Sequence, residues 1–425
     1  MASTKPNDYR SRRWSILAAY TAVAGWSQAL WFSLASLLST IQNRYDVSEF
    51  AASTLLLVFP LVYTVLSLPA GMLIDRRGYR TTAGLGAIVM TGFAFVRIHD
   101  SFTALLVGQV GIAIAQPFVV NGISKLVSDW FPEQQQDMAI GIGTMGMFLG
   151  IGVGLAASPF LESLLGFKGT MACFASVSAL CCTAFLFFCR EAGRAKAKDQ
   201  TVHLAHEPLI LSTKSPMRMI SNGRLVLLFT IAFIGMGIFN GVTTWLEKIL
   251  GANGIVPVTA GMIGGALILG GILGAVAIPA VVQRIRQRKP FIVISAVAAL
   301  AILPFLWTLS SLWLLLVLGG VLGFFYMPVY GLLLALSAET AGERNAGTAT
   351  GLLLLAGNAG SVAIMGLMAL IRENSASWLP VLYLMMGLLT LTLILGVFVS
   401  ESSPRDRGIS SPYQPSEQLR IAAEL

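Results

Sequence analysis

The chain has 425 residues, 56% of them hydrophobic and 11% charged, with a mean hydropathy of +0.77 and a net charge of +8. Soluble domains carry about 25% charge, so this balance excludes a soluble globular domain and describes a polytopic membrane protein. The positive charge then belongs to loops flanking a bilayer, and a nucleic-acid partner is excluded.

Taken in order, the apolar runs predict an all-α membrane protein with twelve transmembrane helices in two six-helix bundles, each run near the ~20 residues a bilayer requires. The spans cover 14–40, 50–74, 81–99, 101–125, 138–162, 168–189, 224–247, 257–282, 291–309, 311–337, 346–371 and 376–400. Residues 1–13 read as a cytoplasmic tail, 14–189 as the first bundle, 190–223 as a cytoplasmic central loop and 224–400 as the second bundle. Residues 401–425, rich in Ser, Pro and charge, read as a disordered cytoplasmic tail. Of the 28 Lys and Arg residues, only Arg44, Arg97, Lys168, Lys248 and Arg372 fall on alternate connections. The rest mark the cytoplasmic side and place both termini there, in a plasma or bacterial inner membrane. A shift of about 210 residues lays Pro69-Ala70 on Pro279-Ala280, and Glu133 and Gly141 on Glu343 and Gly351. Two such repeats imply a site between them at mid-bilayer.

Between spans 2 and 3 lies the charged stretch Gly71-Met72-Leu73-Ile74-Asp75-Arg76-Arg77-Gly78-Tyr79-Arg80. Charged groups so placed stay at headgroup level. Gly78 suits a turn with positive φ. Asp75 would close the preceding helix against its own dipole, which calls for a partner elsewhere.

The spans hold no Ser/His/Asp set, no metal-ligand cluster and no carboxylate pair, so neither an enzyme nor a cofactor is expected. Cys173, Cys181, Cys182 and Cys189 share one apolar run and read as small buried hydrophobes. Spans 1, 2, 4, 5, 8, 10 and 11 lack an ionisable group at mid-depth, whereas proton relays usually need one. Glu247, beside Lys248 at the end of span 7, reads as an outer-mouth residue. A facilitator, or transport driven by gradient or potential, follows. A cation held at mid-depth would rest on aromatic faces. Trp31 is the leading candidate, with Ser27 and Gln28 on the same side of the helix at i−4 and i−3. Tyr63, Gln116, Asn121, Asn240, Thr244, Tyr326, Tyr330 and Asn358 complete the candidate substrate-binding set, each also able to serve as an interhelical hydrogen-bonding group. Trp26 and Trp245 point elsewhere. The expected partners are a small-molecule solute and the lipid bilayer, and the expected state is a monomer.

Two resemblances sharpen this. The spacing of Gly71, Leu73, Asp75, Arg76, Gly78 and Arg80 resembles the signature loop of the major facilitator superfamily. The resemblance implies that Asp75 faces the start of helix 11 near Asn345 to Thr348. It also implies that Arg76 pairs with an acid near the end of helix 4, here Asp129, latching the outward-open state. More narrowly, Arg12-Arg13-Trp14, Leu68 to Asp75, Ala115-Gln116-Pro117-Phe118 and Lys125 to Pro132 resemble the feline leukaemia virus subgroup C receptor-related transporters. So does the Gly146 to Pro159 segment. That family carries choline and ethanolamine, with haem also proposed, and holds the ammonium group in a cage of a span 1 Trp and a span 7 Tyr. Trp31 falls on the Trp position. Asn240 stands where the family has Tyr, and Met147-Phe148 where it has Asn-Gln. The readings that follow are a solute carrier working by rocker-switch alternating access on a small organic solute such as an amine or zwitterion, an exporter of hydrophobic drugs, and a carrier of a siderophore, haem or metal chelate.

Overall fold

In the computed structural model, which describes residues 6–189, 219, 221–342, 346–375 and 377–399, helices account for almost every described residue. The predicted central loop (apart from Met219 and Ser221–Gly223) and the predicted C-terminal tail lie outside the described residues. The helix α1 runs Pro6–Phe32, so it takes up part of the predicted N-terminal tail. A 3₁₀ turn at Ala35–Leu37 follows, then α2 at Leu38–Tyr45. Next come α3 at Glu49–Arg77, α4 at Tyr79–Val96, α5 at Phe102–Val120 and α6 at Ile123–Trp130. The long α7, Glu133–Phe188, carries predicted spans 5 and 6. The second half comprises α8 at Gly223–Gly251, α9 at Pro257–Ile285 and α10 at Lys289–Thr308. It closes with α11 at Leu312–Ala341, α12 at Ala346–Glu373 and α13 at Leu379–Phe398.

Local chemistry sets these boundaries. Ser48 and Ser101 accept hydrogen bonds from the amides of Ala51 and Ala104, capping α3 and α5. Proline opens α9, α10 and α13, where its missing N–H costs nothing. Gly78 ends α3 at φ 82°, and Gly166, at φ 69° and ψ 173°, divides α7 into its two limbs without an intervening loop. Among the described residues, nine helical segments are long and apolar enough to cross a membrane; α1 and the short α4 fall outside that nine, and α7 counts once. Large apolar side chains such as Phe187 and Leu180 stand exposed on the outer surface, as lipid contact requires.

Each half is held by close helix pairs: α1 against α7, α8 against α12, and α9 against α11. Glycines allow the backbones to touch. Gly150 of α7 lies on the Gly25 carbonyl, Gly360 of α12 on that of Phe233, and Gly274 of α9 on that of Phe324. Between the halves, α7 meets α9 and α3 meets α12.

The two ends of the bundle differ. One, the basic end, carries Arg76, Arg77, Arg80 and the Arg284–Lys289 stretch. At the far end the halves are joined. Glu49 pairs with Arg372 at 3.2 Å, the Ser39 amide donates to Glu247 Oε2 at 3.3 Å, and Gly261 packs on Leu155 and Pro159. The first half has its own far-end rim, centred on Asp100. Its carboxylate accepts both Nε and Nη2 of Arg44, at 2.8 and 2.7 Å, and the Tyr45 hydroxyl at 3.1 Å. Lys168 lies at 3.5 Å. The forked hydrogen bonding of Arg44 holds the Asp100 carboxyl well below the usual carboxylate range, and Asp100 in turn raises the Arg44 guanidinium.

Arg97 departs from expectation. Read as a loop residue between spans 3 and 4, it is 1% exposed. Its guanidinium donates to the Leu30 carbonyl at 3.1 Å and to Ser33 Oγ at 2.7 Å, with Met171 Sδ at 3.1 Å. The cation therefore sits on the carboxyl end of α1, where the helix dipole is negative, and braces the break that follows Phe32.

Candidate functional site

A cavity of 350 Å³ lies between the halves, on the basic side of the far-end contacts, and reaches from Trp31 toward Leu334 and Leu354. None of its wall residues is Asp, Glu, Lys, Arg or His. Eight of the ten predicted binding residues line it: Gln28 and Trp31 on α1, Tyr63 on α3, Gln116 on α5, Asn240 on α8, Tyr326 and Tyr330 on α11 and Asn358 on α12. Both halves therefore contribute.

The aromatic wall is fixed by specific contacts. The Trp31 ring stacks on Phe59, centroids 5.0 Å apart and planes inclined by 8°, and Phe32 closes against it at 4.7 Å. Its indole Nε1 donates to the Leu56 carbonyl at 3.2 Å. One face of Trp31 is thus supported by Phe59, its polar edge is satisfied, and it borders the cavity as a π-surface. The Tyr63 hydroxyl bonds Asn121 Oδ1 at 2.5 Å, and Tyr326 donates to the Gly235 carbonyl at 3.1 Å. Asn240, 3% exposed, donates to Ser361 Oγ at 2.7 Å. Two wall groups keep unused polar capacity: Gln116 Nε2 and the Tyr330 hydroxyl are buried and form no hydrogen bond with the described residues. Both atoms are themselves covered by neighbouring side chains.

Two predicted residues are placed elsewhere. Asn121 stands behind Tyr63, bonded also to Ser67, and positions that tyrosine instead of facing the cavity. Thr244, one turn beyond Asn240, is buried outside the cavity wall, its hydroxyl without a described partner. Thr244 shares the face of Asn240 but lies one turn further along, and Asn121, five residues beyond Gln116 at the end of α5, is turned away from it. Trp26 donates to the Phe174 carbonyl and stacks on that ring, and Trp245 packs on Trp378, so both are packing groups.

Of the apolar wall, the resemblance singled out Met147-Phe148, and both border the cavity. Sequence reasoning missed Phe239, Met236 and Met327, which border it too. These are ordinary members of apolar runs, and no sequence signal separates them from lipid-facing neighbours.

At the basic end, Gly78 alone separates α3 from α4, with Gly71 and Arg76 in the last turns of α3, Arg80 in the first turn of α4, and both arginines exposed. Asp129 pairs with Lys125, one turn earlier on α6, at 3.1 Å. The side chain of Asp75 and residues 343–345 lie outside the described set, so the implied contact between them does too.

Comparisons with known proteins agree with this architecture. The model of the Major Facilitator Superfamily matches residues 17–365 and 249–421. A choline/ethanolamine transporter, flvcr2a of Danio rerio, is 25% identical over 362 residues, covering 80% of this chain and 77% of its own. The human choline/ethanolamine transporter FLVCR2 is 24% identical over 360 residues, covering 80% and 68%. An uncharacterised protein of Archaeoglobus fulgidus is 37% identical over 186 residues, 44% of this chain and 83% of its own. Among solved structures, the nucleoside transporter NupG superposes with a TM-score of 0.71 at 12% identity, covering 90% of this chain and 98% of that one. A bacterial homologue of the lysosomal transporter Spinster, inward-facing and unoccupied, gives 0.67 at 16% identity, covering 93% and 95%. With the family model spanning most of its length and a cavity built by both halves, the chain belongs to the major facilitator superfamily of membrane transporters.

Proposed function

We propose that this transporter carries a small organic solute with an ammonium or other weakly hydrated cationic group, by alternating access of the inter-half cavity. The observation that carries this reading is the supported face of Trp31 on a wall without charged residues. A metal cation would find no carboxylate there to offset the loss of its water. A methylated or zwitterionic amine can rest its cation on aromatic faces, Trp being the strongest, and offer an oxygen to the side-chain amides of Gln28 and Asn358 on the wall. The choline/ethanolamine transporters among the relatives support the same class. Asn240, tied to Ser361, leaves the C-terminal half to contribute Phe239 and Tyr326 as its aromatic surfaces.

The joined far end and the cavity on the basic side describe one of the two states that a rocker-switch cycle needs. With the basic end cytoplasmic, this state faces inward. The turn Gly71 to Arg80 would latch the opposite state through Asp75, and Asp75→Asn should then change the balance of states while leaving binding intact. We place the protein in a plasma or bacterial inner membrane, as a monomer.

The deciding experiment is uptake of labelled choline and ethanolamine by purified protein in liposomes, with a competitor panel of amines, zwitterions, chelates and apolar drugs. Competition confined to amines and zwitterions supports the proposal. Competition only by unrelated apolar compounds would favour the second reading, a hydrophobic-drug exporter, which rests on the Met- and Phe-rich part of the wall. Competition only by chelates would point to a siderophore, haem or metal-chelate carrier.

A further inference from the structure

The far-end seam holds an acidic side chain that the cavity does not use. Glu247, on α8, is 4% exposed and reaches across the halves to the first turn of α2, accepting the Ser39 amide at 3.3 Å. The helix α2 begins after the break in the first membrane helix, so its opening amides have no intrahelical partner. Glu247 supplies one acceptor from the opposite half. The break thus has a group at each side: Arg97, from its own half, on the end of α1, and Glu247, from the other half, on the start of α2. The first contact persists when the halves separate; the second cannot.

The charged groups facing Glu247 are few. Lys248 is its neighbour on α8, Glu49 approaches from α3, and Arg372 of α12 is engaged by Glu49. The element α2 offers the Ser39 amide. Burying an ionised carboxylate is costly even with the Ser39 amide and side chain and Lys248 beside it, because Glu49 adds a second negative charge, while the neutral acid is buried far more cheaply. Opening the seam returns the group to water. Asn240 on the cavity wall, Thr244 with its unengaged hydroxyl, and Glu247 succeed one another at four and three residues on one face of α8. They form a polar line from cavity to seam through otherwise apolar packing.

We propose that Glu247 takes up a proton as the far-end gate closes and gives it up as the gate opens, so that acid favours the closed gate and alkali the open one. This rests on the alternating-access reading above. Sequence reasoning set Glu247 aside because its position matched a helix end at a membrane surface; its burial comes from Ser39 and Glu49 of the other half.

The test is pulsed electron-spin distance measurement on the full-length protein in lipid nanodiscs. The four native cysteines are replaced by Ala, and labels are carried by Leu164→Cys and Ser311→Cys at the far end of each half. The expected result is a shift from short to long distances as pH rises from about 5 to about 8, the range over which carboxylates in proteins titrate at the high end. Glu247→Gln should stay short throughout, while Glu49→Gln should keep the response to pH. A parent distribution unchanged by pH, or a Glu247→Gln variant that follows the parent's shift, overturns the proposal. Gly261→Leu separates this from failure of alternating access, because its side chain has no room against Leu155 and Pro159 and wedges the seam apart. Long distances in that variant beside a pH-invariant parent overturn only the role of Glu247. Short distances in it at every pH overturn the gate and the alternating-access reading together.

Discussion

Trp31 and Phe59 stack nearly parallel, 8° between planes and 5.0 Å between centroids, so that a residue of α3 sets the orientation of the cavity's principal aromatic face on α1. The pair makes the site a composite of two helices of one half. Its consequence is that the two residues should fail in different ways when removed.

Trp31→Ala should lower apparent affinity for a quaternary amine by roughly 30-fold, the ~2 kcal/mol of a desolvated cation–π contact, with folding retained. Phe59→Ala should give a smaller loss, because the indole keeps its bond to the Leu56 carbonyl. Competition binding of labelled choline, read beside size-exclusion profiles, checks both. Equal affinity in Trp31→Ala and the parent would remove the aromatic-face reading.

Arg97→Ala should destabilise the fold by about 3 kcal/mol, the range for hydrogen bonds to a charged group together with the cavity left behind. Arg97→Lys should recover only part, since one ammonium cannot reproduce the fork that serves Leu30 and Ser33. Chemical denaturation in detergent gives the comparison. A lysine variant as stable as the parent would show that charge at the end of α1, and not the fork, is what matters.

Gly150→Ala should weaken the α1–α7 pair by about 2 kcal/mol or more, because an added Cβ overlaps the Gly25 carbonyl and the helices must part. Gly141→Ala, on the same helix with open space around it, should be neutral or stabilising by about 0.5–1 kcal/mol. Thermal unfolding of the two variants side by side tests whether close approach, and not glycine content, decides.

The Asp100 rim should be acid-labile. Its carboxyl is held low in the folded protein by Arg44. Its contribution is therefore complete above the ordinary carboxylate value of about 4 and fades as pH falls below that toward the folded value. Asp100→Asn should be less stable than the parent at neutral pH, and the gap should narrow below about pH 4. A gap that stays constant down to pH 3 would show that the rim's worth is not electrostatic.

Much of this was legible in the chain. The apolar runs marked the helices, and the loop from Gly71 to Arg80 marked the family. The i−3 spacing put Gln28 on the side of Trp31, and the structure has both on the cavity wall, whereas Ser27 at i−4 is buried off it and bonded to the Ala24 carbonyl. What could not be read were relations between the halves and depth along a helix. Arg97 looked like a loop cation because its partners, Leu30, Ser33 and Met171, lie about seventy residues away in either direction. Thr244 had the right face and the wrong depth, and Asn121 turned behind Tyr63. The seamless passage from one limb of α7 to the other at Gly166 was invisible because a single positive φ replaces the polar loop that normally signals a boundary.

The Asp100 rim also bears on how the protein is made. Arg44, Tyr45, Asp100 and Lys168 all precede residue 169, and together they tie the three far-end connections of the first half. During synthesis that ring can close before any residue of α8 leaves the ribosome. A first half tied in this way, once across the bilayer, offers a preassembled surface to the second.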